Sequence, residues 1–234
     1  DGYTSFVSQY PIPYIYGLTC GELAMLLNEE GMTGSKKCNL TVITMQGWHR
    51  DMDFEQTGLP WVLPSPHIPQ PISAYFYPMS GIAGELGTIS IGVGYTKPFQ
   101  LFAASWVNAD KLASRLNALN LQGVVFRPIH YTPFYSTGKG TRLQGVEAHI
   151  TDRDKVSLSE IQFYVMQEMA SLYPTHKAFD NAEPSRLNMI DKVCGTNQIR
   201  LLFTKRYKWE DARDYWNKGV GAFKQKSRQY YLYQ

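Results

Sequence analysis

The chain has 234 residues, of which 44% are apolar and 14% aromatic, so it is long enough to bury a core and is neither disordered nor fibrous. The net charge of +3 is too small to indicate a nucleic-acid partner, although nine basic and three acidic residues lie between Arg200 and Arg228. We interpret that local excess as the solvated face of a helix in preference to a polyanion site.

The chain lacks the residue spacings of the common metal sites. Its three cysteines permit at most one disulfide and contain no C-x-x-C pair, which excludes a cysteine-framed zinc site of the usual spacing. No H-x₃-H or H-E-x-x-H spacing relates His67, His130 and His149. No apolar run reaches the ~18 residues of a membrane span. We therefore expect neither a metal nor a membrane-spanning segment.

The first 70 residues show one clear helix and one clear strand. Thr19-Cys20-Gly21-Glu22 has the S/T-x-x-E form of a capping box and predicts a helix through about Glu30. The apolar segment Leu40–Met45 predicts a strand. One helix and one strand cannot cover a doubly wound sheet, so we predict that residues 1–70 need further chain to complete their layer.

A second domain is predicted from residue 71 to residue 234. Prolines cluster between Thr57 and Pro78 and predict a long ordered crossover loop, because they withhold N–H groups from a ladder. The pattern after this loop predicts strands at 88–94, 124–126 and 146–151, a helix from Asn108, a helix from a second capping box at Ser157, and helices at 184–192, 196–206 and 209–228. The predicted fold is therefore α/β, with a mixed α/β second domain.

A glycine-rich segment at 84–94 surrounds a single carboxylate, Glu85. Glycine permits positive φ and leaves room beside the main chain, so such a turn can bring N–H groups and one acid to a polar ligand. Taken alone, the segment is equally typical of a strand with a bulge.

Several motifs stand in a fixed order along the chain. They are Gly21-Glu22-Leu23-Ala24, Gly47-Trp48-His49-Arg50, Thr57-Gly58-Leu59-Pro60-Trp61-Val62, Pro64-Ser65-Pro66, Pro98-Phe99, Phe126-Arg127-Pro128 and His149-Ile150-Thr151-Asp152. In this order and at these spacings the chain resembles the NamZ-type family, exo-acting β-N-acetylmuramidases of peptidoglycan turnover. The resemblance runs from about Phe6 to the closing Tyr230-Tyr231-Leu232-Tyr233. It implies that residues 1–70 are the C-terminal part of a Rossmann-like catalytic domain and that residues 71–234 border the sugar site.

The chain departs from the family in two respects. The family's glycine-rich segment usually reads E-G-T-N-L-S-E-G-R-G, and here Ile91 and Val93 replace its second Glu and its Arg. Family members also carry a further N-terminal half, which supplies one of the two acids thought to act on the sugar. We therefore expect an N-terminal half of the same protein as a partner of this chain.

Two carboxylates are candidates for glycoside cleavage, which needs an acid and a second carboxylate. The resemblance implies that Glu22 is catalytic, while the sequence alone explains Glu22 as a helix cap; the two roles are compatible. Glu85 matches the first Glu of the family's glycine-rich segment and is the second catalytic candidate. It can equally be an exposed turn residue.

Candidate substrate-binding residues flank these acids. Trp48 and Arg50 leave one face of an extended segment, where an indole stacks on a pyranose and a guanidinium binds the lactyl carboxylate of N-acetylmuramic acid. A half-buried Trp with a snorkelling Arg is the structural alternative. The resemblance adds four substrate-binding candidates, Ser65, His67, Ser90 and Gly92, with His67 standing where relatives more often have Asn. Arg127 and the pair His149 and Asp152 are interpreted as residues that hold the second domain together.

The implied activity is release of N-acetylmuramic acid from the non-reducing end of peptidoglycan fragments by a bacterial glycosidase without a cofactor. The implied location is periplasmic or secreted. The alternative, favoured by the loss of charge at Ile91 and Val93, is a non-catalytic protein that binds cell-wall glycan. We expect no nucleic-acid partner.

Overall fold

In the computed structural model, which describes residues 2–6, 8–34 and 36–234, contacts divide the chain into two compact units. The larger unit consists of Leu63–Trp216 with the residues before Gln9, and the smaller unit consists of Gln9–Val62 with Asn217–Gln234. The predicted division into residues 1–70 and 71–234 and the Rossmann-like character of the first part stay predictions.

The structure is mixed α/β, as predicted. In chain order its elements are α1 (Cys20–Glu29), α2 (Ser73–Glu85), β1 (Leu101–Ala104), α3 (Ala109–Asn117), β2 (Val124–Tyr131), β3 (Leu143–Ile150), α4 (Leu158–Leu172), α5 (Pro184–Cys194), α6 (Gln198–Arg206), α7 (Glu210–Trp216) and α8 (Val220–Ser227). Single 3₁₀ turns lie at Phe54–Thr57 and Arg228–Tyr230. None of the helices among the described residues is long and apolar enough to cross a membrane.

One antiparallel sheet, in the order β1-β3-β2, forms the centre of the larger unit. Phe102, Val146 and Phe126 are buried on one face of this sheet, and α3 packs against β2. Leu101, Ala103 and Tyr131 form an apolar cluster on the opposite face, where alternate residues of a strand point. The sheet therefore buries apolar side chains on both faces.

Helix α4 brings the aromatic core of the larger unit together. The rings of Phe163 and Trp209 stack with their centroids 4.3 Å apart, and Phe203 packs edge-on against Phe163 at 5.5 Å. The Trp209 indole donates a 2.9 Å hydrogen bond from Nε1 to Glu160. Glu160 therefore binds an indole, and no side-chain cap forms at Ser157 where a capping box was predicted, although the helix itself is confirmed.

Helix α2 occupies a region that the sequence predicted to be a loop. Pro78 lies inside this helix and withholds one backbone hydrogen bond. The buried side chain of Gln162 accepts a 3.1 Å hydrogen bond from the N–H of Ala83 and donates one of 3.1 Å to the carbonyl of Pro78. A side chain 84 residues away thus bonds the backbone of α2 and fixes this helix against α4.

Three further predicted elements differ in the structure. Leu40–Met45 forms no strand, because no described segment pairs with it, and Ile43 is 87% exposed. The segment 88–94 is a loop joined to β1 by one bridge at Ser90, since glycines with positive φ interrupt it. The predicted helix at 209–228 is divided into α7 and α8 by Gly219, whose φ is +81°.

Candidate active site

Glu22 lies at the third position of α1 and is fully buried. The predicted capping box is present: Thr19 N–H donates to Oε2 of Glu22 at 2.8 Å, and the Glu22 N–H donates to the Thr19 hydroxyl at 3.3 Å. The other carboxylate oxygen, Oε1, accepts from Nη2 of Arg50 and, at 2.8 Å, from the N–H of Leu232. Both oxygens of Glu22 are therefore engaged.

Arg50 is held on three sides. Its Nη1 donates a 3.0 Å hydrogen bond to the carbonyl of Gly17, and its guanidinium lies 3.7 Å from the centre of the Tyr231 ring. Nε is buried and has no hydrogen-bond partner among the described residues. Two of the five N–H donors of Arg50 are thus engaged and its charge is paired with Glu22, while its predicted substrate-binding role stays a prediction.

These contacts keep Glu22 ionised. Burial alone would raise the pKa of the Glu22 carboxyl, but the N–H groups of Thr19 and Leu232 and the charge of Arg50 outweigh burial and hold the pKa below its usual range. Glu22 is therefore an anion at neutral pH. A general acid must instead hold its proton at the working pH.

Trp48 belongs to the same cluster through the end of the chain. Its ring meets Tyr233 edge-on, with centroids 4.8 Å apart, and the Tyr233 hydroxyl accepts a 3.0 Å hydrogen bond from the N–H of Met45. Beside these residues an open depression of about 770 Å³ is lined by His49, Arg50, Asp51, Met52 and Gln234. The smaller unit thus brings together three predicted site residues, Glu22, Trp48 and Arg50. Sequence reasoning missed the part played by residues 231–234, for which the closing aromatic motif was the available signal.

Ser65 and His67 lie in the larger unit. The Ser65 carbonyl accepts a 3.0 Å hydrogen bond from the N–H of Ile68 and closes a turn that presents the histidine. His67 Nε2 and the Tyr135 hydroxyl share a 2.9 Å hydrogen bond. The backbone of Tyr135 lies in turn against Gly94, where an added Cβ would come within 2.0 Å of its carbonyl oxygen.

Ser90 and Gly92 serve contacts within the protein. The Tyr131 hydroxyl donates a 2.8 Å hydrogen bond to the buried hydroxyl oxygen of Ser90. Gly92 has φ of +84°, and a Cβ there would lie 2.1 Å from the carbonyl oxygen of Lys97. Close approach of backbone to backbone therefore accounts for this glycine, while the substrate-binding roles of Ser90 and Gly92 stay predictions.

Glu85 is the last residue of α2 and lies in the larger unit. Its side chain is 42% exposed, and Oε2 is 3.8 Å from Nη1 of Arg186. The neighbouring Gly84 faces Ile91, because an added Cβ would lie 2.3 Å from Cδ1 of that side chain. Ile91, the residue that replaces a family Glu, is thus a buried packing residue against α2.

Sequence reasoning missed a buried carboxylate at Glu147. Its Oε2 accepts a 2.6 Å hydrogen bond from Arg127, and its Oε1 accepts one from Lys97. Burial would raise the pKa of Glu147, but these two cations outweigh it and lower the pKa.

His149 lies 3.5 Å from the same carboxylate, whereas Asp152 pairs with Lys155 at 2.6 Å. Arg127 thus joins β2 to β3 through Glu147, as predicted, whereas His149 Nε2 forms no hydrogen bond with a described residue and His149 does not pair with Asp152. The available signal for the contact between Arg127 and Glu147 was that the two residues lie opposite each other on neighbouring strands.

No group of three or more His, Cys, Asp or Glu side chains that could hold a metal ion occurs in the described part of the chain.

The chain matches the family described as "Exo-beta-N-acetylmuramidase NamZ, C-terminal" over residues 75–233 and its N-terminal counterpart over residues 1–72. It belongs to this family. It is 38% identical over 231 residues to the peptidoglycan beta-N-acetylmuramidase NamZ of Bacillus subtilis (strain 168), and the match covers 99% of this chain and 54% of that protein. The chain therefore spans about half the length of this curated relative.

Two solved structures of DUF1343 family proteins from Bacteroides fragilis NCTC 9343 are similar to the chain. The first is 62% identical with a TM-score of 0.97, and the match covers 100% of this chain and 61% of that one. The second is 23% identical with a TM-score of 0.67, covering 99% of this chain and 60% of that one. The second likeness concerns the fold alone.

Proposed function

We propose that the chain is part of a glycoside hydrolase that releases N-acetylmuramic acid from the non-reducing end of peptidoglycan fragments. The observation that carries this proposal is the family match, which extends over residues 1–72 and 75–233 and includes a relative named as a peptidoglycan β-N-acetylmuramidase. The activity is assigned to the whole protein, because the matched relative is about twice as long as this chain.

The geometry supports an anionic role for Glu22. Hydrolysis of a glycoside passes through an oxocarbenium-like transition state, which a carboxylate stabilises as base, nucleophile or fixed negative charge. Glu22 is held ionised by Thr19, Leu232 and Arg50, and because it is buried with both oxygens engaged, it suits the role of a fixed negative charge and not that of a nucleophile or of the acid that protonates the leaving oxygen. The predicted catalytic role of Glu22 is kept here in this narrower form.

The general acid must then be a different carboxyl group. We place it in an N-terminal half of the same protein, since the chain spans 54% of its curated relative. Glu85 keeps its predicted place beside the sugar as part of the proposal. Its half-exposed carboxylate is available to a ligand, because its contact with Arg186 is long at 3.8 Å.

Sugar binding is proposed for the other predicted site residues, among them Trp48 and His67. Trp48 offers an indole surface beside the depression lined by Arg50, and His67 offers a ring nitrogen together with the Tyr135 hydroxyl. We propose a periplasmic or secreted location, where peptidoglycan lies, and a reaction that uses no cofactor.

The test is release of N-acetylmuramic acid by the longest natural form of the protein. Peptidoglycan fragments that end in N-acetylmuramic acid at the non-reducing end are the substrate, and fragments that end in N-acetylglucosamine are the matched control. We expect free N-acetylmuramic acid from the first set and no release from the second. Binding without release from either set would instead support the non-catalytic glycan-binding alternative.

A further inference from the structure

The smaller unit contains a second cavity, of about 220 Å³, beside the last helix. Residues 13–17 form one wall of this cavity, and α8 with the residues that follow it forms the other. The rings of Tyr16, Phe223 and Tyr231 line it, so the cavity has the mixed aromatic and polar surface that sugars and small ligands bind.

Two cations of this cavity have no partner of their own. Lys224 and Arg228 are four residues apart on a helical segment and therefore lie on one face of it. Among the described residues neither side chain forms an ion pair or a hydrogen bond, and no Asp or Glu lines the cavity. Lys226, which lies between them in sequence, instead pairs with Glu30 at 2.6 Å. Two residues with unpaired positive charges thus line a cavity that has no Asp or Glu in its lining.

Two tyrosines of the cavity add hydroxyl groups that can donate. Tyr16 and Tyr231 line it, and neither hydroxyl forms a hydrogen bond with another described residue. A cavity with two free cations, two free hydroxyls and no carboxylate has the chemistry of an anion site.

The cavity adjoins the cluster around Glu22. Its wall includes Tyr231, whose ring covers the guanidinium of Arg50, and Gly17, whose carbonyl accepts from Arg50. Arg50 in turn binds Glu22, so one residue separates the cavity from the candidate catalytic carboxylate. Because the charge of Arg50 is already paired with Glu22, cations without a partner are better placed to bind a substrate carboxylate.

We propose that Lys224 and Arg228, with Tyr16 and Tyr231, form a subsite that binds a carboxylate of the peptidoglycan fragment. This inference rests on the proposed function for the identity of its ligand. A muropeptide offers the required chemistry at two places: the lactyl carboxylate of N-acetylmuramic acid and the carboxylates of the peptide stem. The two cations bind the carboxylate, and the tyrosine rings pack against the carbon skeleton beside it.

Calorimetric titration of the full chain with three probes tests this subsite. The probes are N-acetylmuramic acid, which carries the lactyl carboxylate; muramyl dipeptide, in which that carboxylate is an amide and the peptide supplies the negative charge; and N-acetylglucosamine, which is neutral. We expect at least one charged probe to bind more tightly than the neutral sugar, and the tighter of the two identifies the source of the carboxylate. Lys224→Gln and Arg228→Gln should each weaken that binding by about tenfold.

Lys226→Gln is the matched control, because it removes the same charge from the same helix outside the cavity. It should leave the affinity within about twofold, and a thermal melt of each variant verifies that it is folded. Equal affinity for charged and neutral sugars, no binding of any probe, or an equal loss in Lys226→Gln would overturn the subsite. The titration does not depend on turnover, so binding of the charged probe together with no release of N-acetylmuramic acid by the longest natural form refutes the proposed reaction and leaves the subsite standing. Hydrolysis with unaltered binding in both cavity variants refutes only the subsite.

Discussion

The backbone N–H of Leu232 donates a 2.8 Å hydrogen bond to Oε1 of Glu22, 210 positions earlier in the chain. The end of the chain thus supplies a donor to the carboxylate that opens α1. Leu232, Arg50 and Thr19 together surround Glu22 with donors. This arrangement determines the charge of Glu22, its contribution to the stability of the fold and its proposed role.

Replacing Glu22 should destabilise the fold far more than removing a simple helix cap does. Glu22→Gln keeps one oxygen but turns an amide N–H toward a site that contains only donors, and it leaves the partly buried Arg50 without its anion. We expect a loss of about 2–4 kcal/mol in the free energy of unfolding, measured in urea. Thr19→Ala removes only the cap hydroxyl and should cost about 1 kcal/mol. Equal losses in the two variants would mean that the contacts with Arg50 and Leu232 contribute nothing.

The stability that Glu22 contributes should depend on pH in one direction. Its pKa in the folded protein lies below the ordinary value of 4.5, so the carboxylate stabilises the fold above about pH 4.5. That contribution is lost as the pH falls through the folded-state pKa, because the proton then binds. The difference in melting temperature between the wild type and Glu22→Gln should be constant near neutrality and should shrink below pH 4.5. A difference that grows on acidification would show that Glu22 is protonated in the native state.

Features that depend on residues close together in the sequence were predicted, and features that depend on residues far apart in the sequence were not. The cap at Thr19 and the helix start at Asn108 depend on neighbours three residues away, and the sequence pattern located both. The partners of Glu22 lie 28 and 210 positions away, and no local pattern indicates them. Helix α2 was missed for the same reason, because Pro78 alone indicates a loop and the helix is held by distant contacts such as the hydrogen bond from Gln162. Glu85 was consequently assigned to a glycine-rich turn and is instead the end of a helix.

The contact between Gly84 and Ile91 should appear as a coupling between two substitutions. Gly84→Ala places a Cβ 2.3 Å from Cδ1 of Ile91, so the single variant should lose stability even though alanine is the better helix former by about 1 kcal/mol. In an Ile91→Ala background the added methyl group enters vacated space and should be neutral or stabilising. Unfolding free energies of the wild type, both single variants and the double variant test this coupling. Additive losses would contradict the packing described for Ile91.

A second pair of variants tests whether Ser90 stabilises the fold as the acceptor for Tyr131. Burial raises the pKa of Tyr131 to about 12, so its hydroxyl stays protonated and donates to Ser90. Ser90→Ala leaves that buried donor unpaired and should cost about 1–3 kcal/mol, whereas Ser90→Ala combined with Tyr131→Phe should cost less than the single change. If Ser90 instead binds substrate, the double variant will be stable but will show a raised KM in the release assay. The two measurements together therefore separate its structural and binding roles.

Turnover by Glu22→Gln in the longest natural form shows whether Glu22 acts on the sugar as an ionised group. The control is Thr19→Ala, which disturbs the same helix start and keeps the carboxylate. Both variants are assayed for release of N-acetylmuramic acid below the melting temperature of Glu22→Gln, so that each is folded. We expect Glu22→Gln to lose about 10²–10⁴-fold in kcat, since an amide carries no negative charge toward the transition state, and Thr19→Ala to stay within a few-fold of the wild type. Near-normal turnover by a folded Glu22→Gln would contradict that role and leave Glu22 as the structural anion that joins α1 to Arg50 and Leu232.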